Sequence, residues 1–205
     1  MRTNKKEKTI LEVAENEFLL KGFAGARIVE IANQAGVSQS MLNYYFKSKE
    51  MLFDRVMREK IKQLQDSVTI VFEMEGMTLV EKLVEIIVRH FNFLCQNPDL
   101  PRFVINEIIA QPGYIERIKE EALPVLKESV DHLQRDLDAA AEKGEVRQMD
   151  AATLLMDIVS VNIFTFIVVP ILSTVNPQMD FQAFYNARCQ ENVELILSRI
   201  SGGEK

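Results

Sequence analysis

The sequence GFAGARIVEIANQAGVSQSMLNYYF, residues 22–46, followed by KSKEMLF, residues 47–53, predicts two short helices around a tight turn. Apolar side chains recur at helical spacing up to Ala35, which marks the buried face of the first helix. Gly36 follows at the point where a residue without a Cβ enters the left-handed conformation cheaply. Ser38 is then placed to cap the second helix with its hydroxyl. The stretch therefore predicts a helix-turn-helix.

The second of these helices has one apolar face and one open face. Leu42 and Phe46, four residues apart, return to the core. Amide, hydroxyl and aromatic side chains remain on the open face: Gln39, Ser40, Asn43 and Tyr44. Because base edges in the major groove offer distinct patterns of donors and acceptors, such a face suits DNA recognition.

The segment from about residue 8 to residue 55 resembles the DNA-binding domain of the TetR family of one-component bacterial regulators. The elements typical of the family are Phe18, Gly22, Phe23, Ile31, Ala32, Ala35, Gly36, Val37, Ser38, Leu42, Tyr45, Phe46, Ser48, Lys49, Glu50 and Leu52. The resemblance implies an all-α fold, with a three-helix reading head joined by a long helix to a helical ligand-binding and dimerisation domain. It also implies a homodimer on a near-palindromic operator and a small-molecule effector.

The chain departs from the family pattern at three places. Ala26 and Arg27 stand where a Thr/Ser pair usually opens the second helix, and we expect Arg27 to contact a phosphate instead. Ser40 replaces a frequent Gly, and Asn43 replaces a frequent Tyr. Since Asn pairs bidentately with adenine, we hypothesise that Asn43 reads a base.

Lys49 lies in the first turn of the predicted long helix. The free N–H groups and the positive dipole end of a helix N-terminus favour a phosphate there, and an ammonium group adds to that attraction. The family motif also places a phosphate contact at this position. The predicted DNA-binding residues are Arg27, Ser38, Gln39, Ser40, Asn43, Tyr44, Tyr45 and Lys49.

Charge divides unevenly along the 205 residues, of which 47% are hydrophobic. Residues 1–62 carry a net charge of +4 and the remainder carries −10, which gives −6 overall. This asymmetry suits a basic DNA-binding head on an acidic body. The predicted domains are residues 1–50, the helix-turn-helix domain, and residues 51–205, the ligand-binding and dimerisation domain.

The sequence predicts neither a metal site nor an enzyme. The two cysteines, Cys95 and Cys189, are far apart in sequence, and neither they nor His90 and His132 show metal-ligand spacing. The structural interpretation of the cysteines is apolar packing, and redox sensing is the alternative. No Gly-rich phosphate loop, nucleophile elbow or zinc motif occurs, so we expect no cofactor and no catalytic residues. The presence of only two cysteines suits a reducing compartment, and the N-terminus shows no signal-peptide pattern. Both observations predict a cytoplasmic protein.

Helical patterns continue to the end of the chain. The uncharged stretch 158–179 could be mistaken for a membrane span, but its continuous apolar part, about residues 158–172, is short and contains polar residues and a proline. We therefore expect a helix covered at a subunit interface and no membrane partner. The family pairs its last two long helices in the dimer, and the predicted interface residues are Leu155, Phe164, Phe184, Val193, Ile196 and Leu197.

Polar side chains within apolar runs are candidates for an effector pocket, because an unpaired buried polar group costs on the order of 1–3 kcal/mol. The alternative is that each is a surface residue or a satisfied core group. The candidates, with neighbouring aromatic residues, are His90, Phe93, Phe103, Asn106, Glu107 and Asn162. Abundant Met and Phe suggest an apolar or amphipathic effector, although both are also ordinary core residues.

The sequence thus predicts a repressor that a small-molecule ligand releases from its operator. The alternatives are an activator or a ligand-independent nucleoid-associated factor of the same fold, or an all-helical interaction protein with weakened DNA binding. The last is favoured only by the departures at Ala26, Arg27 and Asn43.

Overall fold

The computed structural model describes residues 5–109 and 112–201; within these ranges the side chains of 107–109, 112–118 and 120–122 are not described. The described residues form helices and no strands, as the sequence predicts. The helices are α1 (Lys5–Gly25), α2 (Ile28–Gln34), α3 (Gln39–Tyr45), α4 (Lys49–Thr69), α5 (Leu79–Gln96), α6 (Leu100–Phe103), α7 (Pro112–Glu142), α8 (Ala151–Val175) and α9 (Phe181–Ile200). A 3-10 turn follows α4 at Ile70–Glu73, and a π-helical segment follows α6 at Val104–Ile109.

The chain divides into two compact units. The first comprises Met1–Gln63 and Phe103–Ile118, and the second comprises Leu64–Arg102 and Lys119–Lys205. The sequence-based boundary at residue 50 is a coarser, linear division and stays a prediction. The segment Phe103–Ile118, which the sequence assigns to the body, clusters with the N-terminal helices.

An aromatic cluster holds the first unit together. The ring of Phe53 in α4 lies edge-on to Phe18 and Phe23, with both centroid distances 5.0 Å. Phe103 adds a fourth ring, 5.7 Å from Phe53. Such aromatic pairs contribute about 0.5–1.5 kcal/mol each beyond the area that they bury. α1 is kinked within its length at Gly22, whose φ of 69° lies in the region that favours glycine.

A buried ion pair joins α1 to α4. Lys60 is only 9% exposed, and its Nζ lies 2.6 Å from Oε1 of Glu15. An ammonium group removed from water needs an opposite charge, and α1 supplies it.

The second unit packs α5, α7, α8 and α9 around one apolar core. α5 begins with a capping box, in which Thr78 accepts a hydrogen bond from the Glu81 backbone N–H and the Glu81 carboxylate accepts one from the Thr78 N–H. Asp150 and Asp180 cap α8 and α9 in the same manner as Ser38 caps α3. The fully buried core residues include Leu83, Ile87, Leu133, Ala151, Leu154 and Ile196.

Candidate functional site

The helix-turn-helix is built locally, as its sequence predicts. Gly36 has a φ of 65° between α2 and α3, and the backbone N–H of Val37 donates to the carbonyl of Ala32 at 3.0 Å. The Ser38 hydroxyl accepts a hydrogen bond from the Met41 backbone N–H at 3.1 Å, which satisfies a donor at the start of α3. Leu42 is fully buried beneath the turn. Local backbone chemistry therefore fixes how α3 is presented.

The outer face of α3 is open to solvent. Gln39, Ser40, Asn43 and Tyr44 are exposed, and Tyr44 reaches 82% exposure. Tyr45 is half-buried, and its ring lies 5.5 Å from that of Tyr44. The structure thus brings the predicted base-reading side chains onto one exposed face of a short, capped helix.

Arg27 stands at the start of α2 and is open to solvent. Its side chain is 76% exposed, and its guanidinium lies 3.8 Å from the Glu30 carboxylate. It immediately precedes α2 but makes no side-chain capping hydrogen bond there. A long, exposed cation at the start of α2 can extend toward a phosphate, and the contact with Glu30 leaves most of it in solvent.

A charged bridge connects α1 to α2. The ammonium of Lys21 donates to the buried Glu17 at 2.7 Å and to Glu30 at 2.6 Å. The hydrogen bond from Lys21 lowers the pKa of Glu30 below its ordinary value, and the bonds to Glu17 and Glu30 raise the pKa of Lys21. Lys21 and Glu30 are therefore charged at neutral pH, and the bridge orients α2 against α1.

Lys49 folds back onto the end of α1. Its ammonium lies 4.7 Å from the centre of the Phe23 ring and 3.4 Å from the carbonyl oxygen of Ala24. Both contacts are weak for a cation, so a phosphate near this helix N-terminus would compete with them. The sequence correctly predicts Lys49 in the first turn of α4, but it carries no signal for the contact with Phe23.

Two of the predicted effector-site residues bind each other in the second unit. The Asn162 amide donates to the Ile87 carbonyl and approaches Nδ1 of His90, both at 3.1 Å, and its oxygen accepts from Asn192 at 2.9 Å. His90, Asn162 and Asn192 are all buried. Burial lowers the pKa of His90 from 6.5 to about 4, so the ring is neutral at neutral pH. This network ties α5, α8 and α9 together; within it both polar atoms of the Asn162 side chain are paired, whereas Oδ1 of Asn192 is buried without a hydrogen-bond partner among the described residues.

The other predicted effector-site residues do not form one cluster with this network. Phe93 is buried in the second unit, whereas Phe103, also buried, belongs to the first unit and packs on Phe53. Asn106 is exposed in the first unit, and the Glu107 side chain lies outside the described residues.

A cavity of about 450 Å³ opens between α5 and α9 in the second unit. Its apolar wall includes Phe91 and Val193, its rim carries side-chain amides such as Asn92 and Gln190, and both cysteines line it. The spacing of residues along the sequence does not predict this cavity, because its walls come from two helices about a hundred residues apart. The signal available in the sequence is the recurrence of Val, Phe and Cys at helical spacing along α5. In the described part of the chain, no cluster of three or more His, Cys, Asp or Glu side chains could hold a metal ion.

The surface of α8 is unusually apolar. Within the described ranges it is the one helix long and apolar enough to cross a membrane, and 22% of its most apolar window is buried inside the chain. Length and composition alone do not distinguish a membrane span from a helix that another subunit covers. The exposed large apolar residues on this helix are Met156, Val159, Phe164, Ile171 and Val175.

The predicted dimer-interface residues differ in how far their side chains are exposed to solvent. Phe164 is 64% exposed, whereas Leu155, Val193 and Leu197 are partly buried against the core of their own chain. Phe184 is half-exposed at the start of α9. Ile196 has no exposed surface because it lies in the core beside α5 and α8, so its assignment to a dimer interface is wrong.

Known proteins resemble this chain at both the sequence and the structural level. Residues 10–56 match the family described as bacterial regulatory proteins, tetR family. An uncharacterized HTH-type transcriptional regulator, YdgC of Bacillus subtilis, is 26% identical over 148 residues, covering 66% of this chain and 73% of YdgC. The HTH-type transcriptional regulator RutR of Escherichia coli is 48% identical over 54 residues, which is 26% of each chain.

The structural likeness extends beyond the helix-turn-helix. The transcriptional regulator FadR from Bacillus subtilis, solved in complex with stearoyl-CoA, superimposes with a TM-score of 0.66 at 24% identity. The alignment covers 94% of this chain and 98% of FadR. At this identity the likeness establishes the fold of the whole chain and not its ligand.

Proposed function

Because this chain belongs to the TetR family of bacterial regulatory proteins, we propose that it is a homodimeric cytoplasmic repressor that a small molecule releases from its operator. The observation that carries the DNA-binding part is the exposed outer face of α3, where Gln39, Ser40, Asn43 and Tyr44 stand on a capped helix. In this proposal those side chains meet base edges, while Arg27 and Lys49 contact the flanking phosphates.

The role of Asn43 is tested by comparing operator duplexes that differ at single base pairs. We expect Asn43→Ala to weaken binding to the preferred duplex by about 5- to 150-fold, equivalent to 1–3 kcal/mol, and to abolish the preference at one adenine. Asn33→Ala is the matched control, because Asn33 is an exposed amide on α2 rather than on α3. Equal weakening on every duplex would assign Asn43 to the phosphate backbone.

Dimerisation is proposed from the exposed apolar surface of α8. A continuous apolar face of this kind needs a cover, and a second copy of the chain supplies one along with the second recognition helix. We expect Phe164→Glu to shift the purified protein from dimer to monomer in sedimentation, and to weaken operator binding by about a hundredfold through lost avidity. The matched control is Leu20→Glu, since Leu20 is 72% exposed but lies in the first unit. A dimer that survives Phe164→Glu would place the interface elsewhere.

Effector binding is proposed to occur in the second unit and to shift the population toward a state that no longer fits DNA. An amphipathic ligand suits an apolar core with amide groups at its margin. Stearoyl-CoA is a rational first ligand to test, because FadR was solved with it. We expect stearoyl-CoA, but not CoA alone, to reduce operator affinity. If stearoyl-CoA does not release the protein from its operator, it is excluded as the effector. The proposal that the protein binds DNA would not be affected by that result.

An activator of the same fold differs only in where its operator lies relative to the promoter. Mapping bound sites against transcription start points distinguishes the two. The operator of a repressor is expected to overlap the promoter, whereas the operator of an activator is expected to lie upstream of it.

A further inference from the structure

Lys49 is held differently from Arg27, the other cation expected to contact a phosphate. The Arg27 guanidinium lies 3.8 Å from the Glu30 carboxylate, whereas no carboxylate in the described part of the chain pairs with Lys49. The Lys49 side chain is half-buried, and its ammonium contacts the Phe23 ring and the Ala24 carbonyl near the end of α1. The ammonium is therefore restrained in position while its charge stays unneutralised.

Two other aromatic rings hold the Phe23 ring in place. Phe53 lies edge-on to it with a centroid distance of 5.0 Å, and Phe18 stacks on it at 6.3 Å. Both Phe18 and Phe53 are buried, so neither ring moves without disturbing the core of the first unit. The negative face of an aromatic ring attracts a cation, and the Lys49 Nζ, 4.7 Å from the centroid of Phe23, lies within the roughly 6 Å over which this attraction acts. Phe23 thus offers the ammonium a fixed surface.

The two contacts of the ammonium differ in how they respond to a phosphate. A lysine ammonium carries three N–H donors and accepts nothing. The hydrogen bond to the Ala24 carbonyl is long, at 3.4 Å, so it is the contact that a phosphate oxygen replaces. The attraction to Phe23 is spread over the ring face and needs no particular N–H. The ammonium can therefore donate to a phosphate and remain over the ring.

Holding the ammonium in advance strengthens a phosphate contact. A free lysine side chain has many rotamers, and fixing one of them when DNA binds lowers the affinity. Phe23 restricts the Lys49 side chain before DNA arrives, so less freedom is lost on binding. A ring contact that had to break would instead oppose binding. The two cases predict opposite effects of removing the ring, which makes them distinguishable by measurement.

We propose that Phe23 is a positioning residue for DNA binding: its ring holds the Lys49 ammonium where it contacts a backbone phosphate, and the ring contact persists in the complex. This role rests on the phosphate contact proposed for Lys49 above. Because a phosphate contact carries no sequence information, Phe23 should affect every operator duplex equally. Removing the ring should weaken DNA binding only while Lys49 is present.

The test is a double-mutant cycle on the full-length protein, measured on the operator duplexes that differ at single base pairs. Phe23→Leu removes the aromatic face and keeps an apolar side chain. We expect it to weaken binding about three- to tenfold beside the native Lys49, and by less than about twofold in the Lys49→Met background. Lys49→Met should reduce the slope of log affinity against log salt by about 0.9, because one phosphate contact is lost. Phe23→Tyr keeps the ring and should bind as the wild type does.

Phe103→Leu is the matched control, because Phe103 is a buried ring of the same aromatic cluster and lies against Phe53. Any effect of this substitution on DNA binding should be the same with and without Lys49, since it acts through packing alone. Thermal unfolding of each variant is measured in parallel to separate a loss of stability from a loss of affinity. Phe23→Met provides a second apolar variant if Phe23→Leu fails to fold.

The ring contact itself is followed by NMR with ¹³C-labelled lysine. The methylene protons beside the Lys49 ammonium should be shifted upfield by the ring current of Phe23, in the free protein and in the DNA complex, and Phe23→Leu should abolish the shift. Loss of the shift on DNA binding would overturn the proposal, as would tighter binding by Phe23→Leu or equal weakening in both Lys49 backgrounds. A wild type that binds none of the duplexes would refute DNA binding itself, and with it this role of Phe23.

Discussion

Acidification is predicted to destabilise the protein through His90. Burial holds the pKa of His90 at about 4 in the folded chain, against 6.5 for an unperturbed histidine. As pH falls below about 6.5, the unfolded chain binds a proton at His90 that the folded chain does not. The stability associated with neutral His90 is therefore fully present above that pH and decreases as pH falls toward 4. At pH 5 the loss amounts to about 2 kcal/mol, which is a large part of an ordinary stability of 5–15 kcal/mol.

The assay is guanidinium unfolding at a fixed protein concentration, repeated from pH 8 to pH 5, because a dimer's stability depends on concentration. His90→Gln should abolish the decrease over this interval, although it lowers stability at every pH by disturbing the bonds of Asn162. His132→Gln is the matched control, since these are the only two histidines in the chain. The carboxyls with lowered pKa values, such as Glu81 and Asp150, titrate below this interval. An unchanged slope in His90→Gln would refute the assignment of a buried, neutral His90.

Two further predictions concern the first unit. Ser38→Ala removes the cap of α3 and should lower the free energy of unfolding by about 1 kcal/mol, measured by thermal unfolding. Ser40→Ala, at an exposed position of the same helix, should lower it little. Equal effects of the two substitutions would show that the cap contributes nothing. Glu15→Gln removes the negative charge that lies 2.6 Å from the buried Lys60 ammonium and should cost about 3 kcal/mol. Glu12→Gln breaks only an exposed pair and should leave the denaturant midpoint within error, and a similar loss in both variants would contradict the buried-pair argument.

Features decided by neighbouring residues could be predicted from the sequence. Gly36 at the turn and Ser38 at the start of α3 act through the backbone within a few residues, and the predicted helix ends follow from them. Exposure of Asn43 and Tyr44 likewise follows from helical periodicity around the buried Leu42.

Features decided by tertiary packing could not be predicted in this way. His90 and Asn162 are recognisable in the sequence as polar groups in apolar runs, but only the structure shows that they bind each other. Helical periodicity cannot distinguish a surface that meets another chain from one that meets the same chain, which explains the error at Ile196. The cavity that Cys95 and Cys189 both line depends on the packing of two distant helices and has no local signal.

Sequence-specific recognition of DNA by α3 is tested most directly by recovering genomic fragments bound to the purified protein. A variant carrying Gln39→Ala, Asn43→Ala and Tyr44→Ala is run in parallel; all three side chains are exposed, so their removal should leave the fold intact. We predict a few sharp sites containing inverted repeats for the wild type and their loss in the variant. Enrichment of the same fragments by both proteins, or of none by either, would contradict the account of α3 as the element that reads DNA.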